Sequence, residues 1–218
     1  MTPGRPKRDR TMGQYYPGER IYFKAIEQSD ESFLRGWLSD PRNWATLGRV
    51  LPIGQARERE WIDGLYKEGG DVVFLIVHRQ SDRPIGSTGL HRVHAINRTA
   101  VLGLLIGDVE YQGQGYGTEA CRLLLKYGFE ELNLNRIELG VLATNRAGVR
   151  AYEKAGLLRE GCFRQACFRN GRYVDELRYA VLREDWAMRN PLPADNGRSV
   201  QARVLLNVSP RAVAAGVA

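Results

Sequence analysis

The stretch from Ala100 to Ala120, "AVLGLLIGDVEYQGQGYGTEA", constrains this chain more than any other. An apolar run of strand character gives way to Gly113, Gly115 and Gly117, alternating with polar residues. Ala120, Leu123, Leu124 and Tyr127 then recur at helical spacing, so an amphipathic helix begins at the glycines. A strand that turns on bare glycines into a helix N-terminus is either a tight turn or a cradle for phosphate. In a cradle the backbone N–H groups and the helix dipole face the anion, and glycine keeps side chains clear.

The flanking segments fix the fold class. "RIYFKAI" reads as a first strand, and "ESFLRGWL" and "AREREWIDGLYK" read as helices, the second with Trp61, Ile62, Leu65 and Tyr66 on one stripe. "DVVFLIVH" is a continuous apolar run, hence a well-buried strand. "IGSTGLHRV" and "TAVLGLLIG" follow through short turns, so these three strands are antiparallel. "RIELGVLA" comes after the glycine-loop helix and implies a parallel crossover. "RAGVRAYEKAG" is a short helix capped by Gly156, and Asn170-Gly171 marks a hairpin between two final strands. The order β-α-α-β-β-β-α-β-α-β-β predicts an α+β domain with a mixed, mostly antiparallel twisted sheet flanked by helices.

Composition sets the boundaries. The 218 residues carry a net charge of +7. The basic excess lies in two Pro-, Gly- and Arg-containing ends, residues 1–18 and 187–218, at +3 each, which leaves +1 between them. The expected division is a basic N-terminal tail over 1–18, a working domain over 19–186 and a C-terminal extension over 187–218, in which "SVQARVLLNVSP" reads as one short strand. Such tails suit contact with acidic partners such as ribosomal RNA, but solubility alone also accounts for them. No run approaches the roughly 18 apolar residues of a membrane span, and "MTPGRPKRDR" has no apolar export segment. Three cysteines without a CxxC pair suit reduced thiols, so a cytoplasmic location is expected.

Gly115-x-Gly117-x-x-Ala120 also fits the dinucleotide pattern G-x-G-x-x-G/A. That reading needs an acidic residue at the end of the next strand, whereas Glu138 lies inside "RIELGV" and no further βαβ alternation follows. The spacing Gln112-x-x-Gly115-x-Gly117 after a strand points elsewhere. Together with "LNLNRIELGVLATNRAGVRAYEKAGL" and "REGCFRQACFRNGRYVDELRYAVLREDW", in that order, it resembles the GNAT superfamily of acetyl-CoA-dependent N-acetyltransferases. In detail it resembles the branch of the RimJ/RimL-type enzymes, which acetylate ribosomal-protein N-termini. The resemblance covers about Tyr22 to Trp186.

This resemblance implies a parallel strand pair that splays at the coenzyme site. Backbone from Gln112 through Gly113, Gln114, Gly115, Tyr116, Gly117 and Thr118 would hold the coenzyme pyrophosphate. The exposed backbone of Leu104, Leu105 and Ile106 would hold pantetheine, with Leu105 or Ile106 N–H polarising the thioester carbonyl. Asn145 falls on a coenzyme-contacting Asn and also suits an N-cap. Tyr152 falls where the family places its general acid, though packing beside Val149 is the plainer role. Acetyl-CoA is thus expected as co-substrate, with transfer in a ternary complex and no metal; His91-x-x-His94 lacks a third ligand for zinc.

The general base is less legible. Relatives of this branch often carry Glu where this chain has Val101, which leaves His91, or else Glu110, as the substitute. Acceptor type bears on this gap. At pH 7 an α-amine is neutral in about one molecule in ten, a lysine side chain in roughly a few per ten thousand. A site without an obvious base therefore suits α-amines or weakly basic amines better than lysine. Trp37, Trp44 and Tyr173 are candidate walls of the acceptor site, on "GWLSDPRNWATLGRVLPIGQ" and the "FRNGRY" hairpin. Asp40 there is offset by Arg42 and Arg49, which argues against polycations. The expected acceptor is a protein N-terminus. The rivals are an antibiotic or metabolite amine and a non-catalytic coenzyme-binding module; a homodimer is open.

Overall fold

The computed structural model describes residues 15–44, 46–47, 52–65 and 71–191. The segment "SVQARVLLNVSP", Arg49, Tyr66 and most of both tails lie outside the described residues. The strands are β1 (Tyr16–Pro17), β2 (Ile21–Ala25), β3 (Val72–His78), β4 (Arg83–His94), β5 (Thr99–Ile106), β6 (Arg136–Leu142), β7 (Leu158–Arg169) and β8 (Arg172–Leu182). The helices are α1 (Glu31–Ser39), α2 (Pro41–Trp44), α3 (Gln55–Gly64), α4 (Tyr116–Glu130), α5 (Arg146–Ala155) and α6 (Arg183–Arg189). The strands form one sheet in the order β1-β2-β3-β4-β5-β6-β8-β7, and every neighbouring pair except β5–β6 is antiparallel.

The apolar run of β3 is continuous because helices cover both faces of the sheet. Phe74 and Ile76 point into the larger core, under α4, with Leu124, Leu125 and Phe129. Leu75 and Val77 point into the smaller core, with Leu34 and Trp37 of α1 and Ile62 of α3. Full burial of each such side chain contributes about 2 kcal/mol. The hairpin β7–β8 turns on Asn170 and Gly171 at φ 48° and 77°, the left-handed pair that its twist requires.

Three short elements were not legible in the sequence. Strand β1 lies inside the stretch read as tail, and the Tyr15 and Tyr16 rings pack edge-on to Tyr127. Helix α6 crosses the expected boundary at Trp186, whose ring meets Phe129 at 5.4 Å. Like α2, each is too short to show a hydrophobic period.

The pairing that positions the site is β5–β6. It spans only Thr99–Arg136, Ala100–Ile137 and Val101–Glu138. Beyond Val101, β5 continues against β4 alone, and β6 continues against β8 alone. The two strands splay, and one edge of β5 is left without a strand partner over its last residues.

Candidate active site

The splay opens a cleft of about 230 Å³ between β5 and α5, with the glycine loop at one end. Leu104, Leu105, Ile106, Gln112, Gly113, Gly115, Gly117, Thr118, Asn145 and Tyr152 line it. Gly113 and Gly115 adopt φ 74° and 87°, a left-handed conformation that other residues rarely take. Gly115 is the N-cap of α4 and supplies no side-chain cap, so the first-turn N–H groups keep their donor capacity. A row of open donors at a helix N-terminus can hold phosphate.

The side chains of Gln114 and Tyr116 do not line this cleft. Gln114 Nε2 donates to the Glu110 carbonyl. Tyr116 is buried under the Arg20 guanidinium, 4.5 Å from the ring centre, and Arg20 also donates to the Gln114 carbonyl and to Glu119. These groups brace the loop from its outer side. The Gln112 side chain is a brace as well: Nε2 donates to Ile106 O at 2.7 Å and to Asn43 Oδ1 at 2.9 Å.

Asn145 caps α5, its Oδ1 accepting from Gly148 N at 2.9 Å, while the residue still lines the cleft. Tyr152 is a buried core residue and also part of the cleft wall. Burial above all, with neighbouring Cys121 adding to it, raises its phenol above the ordinary tyrosine value. The hydroxyl therefore stays protonated and available as a donor.

A second cavity, of about 390 Å³, lies on the α1–α3 side of the sheet and shares Leu104 and Leu105 with the first. Trp37, Trp61, Glu58, Asp71 and His91 are among its walls. His91 Nδ1 lies 2.6 Å from Asp71 Oδ2. Trp37 is thus wall and core together. Glu110 is exposed beside Arg83 and lines neither cavity. His94 is separate from His91, its Nδ1 accepting from Asn97 N. Among the described residues no group of three His, Cys, Asp or Glu side chains is placed to hold a metal.

Residues 20–158 match the acetyltransferase (GNAT) domain family. This chain belongs to the GNAT acetyltransferases. The probable N-acetyltransferase YjcK of Bacillus subtilis is 32% identical over 77% of this chain and 97% of its own length. The putative ribosomal N-acetyltransferase YdaF of Bacillus subtilis is 37% identical over 46% of this chain and 55% of its own. Spermidine N(1)-acetyltransferase of Vibrio cholerae is 28% identical over 78% of this chain and 98% of its own. A crystal structure of a spermidine N-acetyltransferase from that organism, in complex with CoA and spermine, superposes with a TM-score of 0.72 at 24% identity, over 77% of this chain and 98% of that one. The GNAT chain described here is accordingly an N-acetyltransferase, an acyltransferase rather than a binding module alone, with the mixed and splayed sheet of that fold.

The remaining acceptor candidates divide. Trp44 is half exposed, its indole N–H donating to Leu38 O, and it borders a third cavity of about 440 Å³ with Asn145, Arg146, Arg169 and Arg172. Among the described residues no carboxylate lines that cavity. Tyr173, expected as a wall, lines none of the three; it is exposed and packs on Phe168 across the hairpin. Arg42 does offset Asp40 in place: the two form an ion pair, and neither lines any of the three cavities. The carboxylates that do face the second cavity are Glu58 and Asp71. Glu58 sits in "ARERE", which reads as a solvated helix face, and Asp71 looks like an ordinary strand-leading residue. Neither offered a local signal.

Proposed function

We propose that this GNAT enzyme transfers the acetyl group of acetyl-CoA to the α-amine of a protein or peptide, as RimJ/RimL-type enzymes do. The observation that carries the reading is the meeting of two cavities at one strand segment, Leu104–Leu105. The glycine cradle and the unpaired edge of β5 fit the coenzyme: open N–H donors suit its pyrophosphate, and an unpaired strand edge suits the amides of pantetheine. When bound, acetyl-CoA supplies a thioester carbonyl and a thiol leaving group. Tyr152 then hydrogen-bonds the departing sulfur and gives it a proton. The amine reaches the same segment from the opposite face, where Asp71, Glu58 and His91 favour an incoming ammonium.

Charge distribution supports a peptide over a polycation. The arginine-lined cavity beside Trp44 adjoins the cleft through Asn145 and Ala147 and repels a chain of several positive charges. YdaF, the putative ribosomal enzyme, points the same way. A small polyamine is the second reading, and the two carboxylates of the amine cavity, with the spermidine acetyltransferase of Vibrio cholerae as a relative, favour it. In the first reading residues 19–186, extended by strand β1 and the last turn of α6, work as the catalytic domain of a cytoplasmic protein, and a homodimer is compatible. Mass spectrometry after incubation with acetyl-CoA, a library of peptides with free N-termini, spermidine and an aminoglycoside tests the choice. Acetylation on peptide α-amines is expected; acetylation confined to spermidine or the aminoglycoside overturns it.

A further inference from the structure

We propose that Asp71 and His91 act as a pair, with His91 as the catalytic base and Asp71 as the residue that positions it. The inference rests on the reading above that the acceptor amine enters the cavity on the α1–α3 side.

Asp71 uses both carboxylate oxygens on one short stretch of β4. Oδ2 lies 2.6 Å from His91 Nδ1, and Oδ1 accepts the Arg92 backbone N–H at 3.1 Å. Arg92 is in the left-handed region at φ 51°, at the bulge where β4 loses register with β5 between His91 and His94. The carboxylate is therefore anchored independently of the imidazole, and the imidazole is oriented by the carboxylate. An ionised carboxylate can only accept, so the shared proton sits on Nδ1 and the lone pair is on Nε2.

That lone pair lies over β5. A side chain at Gly103 would place its Cβ 2.7 Å from Nε2 and 3.1 Å from Cδ2. Only glycine leaves room for the ring there. Gly103 immediately precedes Leu104 and Leu105, the segment common to the two cavities. The basic nitrogen thus rests against the strand where amine and acyl donor are to meet.

The groups that face His91 keep it in use as a base. Asp71 precedes β3, and buried Glu58 approaches from α3. Ser87 and Thr88 of β4 and Trp37 of α1 complete the polar and aromatic surroundings, and no Lys or Arg among the described residues lines this cavity. In the step, an N–H bond of the acceptor ammonium breaks, an Nε2–H bond forms, and the freed amine lone pair faces the thioester. The imidazolium, held by Asp71, later returns its proton to solvent.

The test has an acceptor-independent arm and a kinetic arm. Histidine-selective ¹⁵N NMR of the whole protein at alkaline pH should show His91 protonated on Nδ1, with that preference lost in Asp71→Asn. A His91 protonated on Nε2 in the wild type overturns the proposal whether or not any acceptor has been found. For the kinetic arm, a serine-initiated tetrapeptide and spermidine are both assayed with acetyl-CoA, and the one turned over is carried forward. With it, kcat/KM should rise with pH along an acidic limb. His91→Gln should remove that limb and lower kcat by about 100-fold, leaving KM for acetyl-CoA close to its starting value. Asp71→Asn should lower kcat about 10-fold or more and alter the limb, which loss of packing alone does not do. An unchanged limb and kcat in folded His91→Gln contradicts the assignment. Turnover of spermidine alone with the limb intact overturns the peptide reading but supports the pair.

Discussion

Asn43 and Gln112, 69 positions apart in sequence, are joined by a hydrogen bond of 2.9 Å from Gln112 Nε2 to Asn43 Oδ1. Asn43 is fully buried in α2, and its amide nitrogen donates to Trp37 O at 3.0 Å and Gly107 O at 2.9 Å. One side chain therefore ties α1 and α2 to the end of β5 and to the glycine loop. The glutamine of the Q-x-x-G-x-G motif holds this junction with its side chain.

Replacing Asn43 by Ala removes three hydrogen bonds at once; Trp37 O keeps the Asp40 N–H, while Gly107 O loses its side-chain donor. Unsatisfied buried groups cost about 1–3 kcal/mol each. A loss of about 3 kcal/mol in urea-measured stability is expected for Asn43→Ala, and about 1 kcal/mol for Gln112→Ala, which is closer to solvent. Equal, small effects for both would mean that the junction does not depend on Asn43.

Gly115→Val places a β-branched residue at φ 87°. The left-handed conformation costs such a residue roughly 1–2 kcal/mol, so the loop must shift to relieve it, and its Cβ would meet Arg20 Nη2 at 3.4 Å. Acetyl-CoA should raise the Tm of the wild type in a concentration-dependent way and fail to do so for the variant. NAD should do neither. Equal stabilisation of the wild type by NAD would return the dinucleotide reading.

Tyr152→Phe keeps the buried ring and removes only the hydroxyl. If that hydroxyl protonates the departing sulfur, kcat should fall by about 10- to 1,000-fold with acetyl-CoA affinity nearly intact. A normal single-turnover rate in the variant confines Tyr152 to packing.

Burial also links this core to alkaline pH. The phenols of Tyr16 and Tyr127 are pushed up to about 12 from 10.0, and the Cys121 thiol to about 12 from 9.0, in each case first by burial. In each the folded state holds its proton to higher pH than the unfolded chain. Between the two values the folded state binds more protons, so stability falls as pH rises. Urea unfolding should show stability lost progressively from about pH 9 to 12, with no contribution from these groups below that window. Cys121→Ala should move the onset of the loss to higher pH; an unchanged onset would assign it to the tyrosines.

The glycine loop, the three antiparallel strands and the crossover were legible because each rests on a local pattern: left-handed glycines, apolar runs, a helical stripe. The cleft was legible for the same reason, since its residues lie in two contiguous motifs. The second cavity was not. It is assembled from α1, α3, β4 and the residue ahead of β3, and the carboxylates that define it look like ordinary surface charges in sequence. The Asp71–His91 contact spans 20 residues and depends on the β3–β4 register, which no local pattern encodes. Tyr173, expected as a wall, packs its ring on its cross-strand partner Phe168.

A crystal structure of the protein with a bisubstrate analogue, CoA joined through an acetyl bridge to the α-amine of a serine-initiated peptide, tests the central claim most directly. The account predicts the pyrophosphate at Gly113–Thr118, the bridge against Leu104–Leu105 and the peptide nitrogen within hydrogen-bonding reach of His91 Nε2. A bridge seated away from Leu104–Leu105, or a peptide that leaves the cleft without entering the cavity of Asp71 and His91, would contradict it.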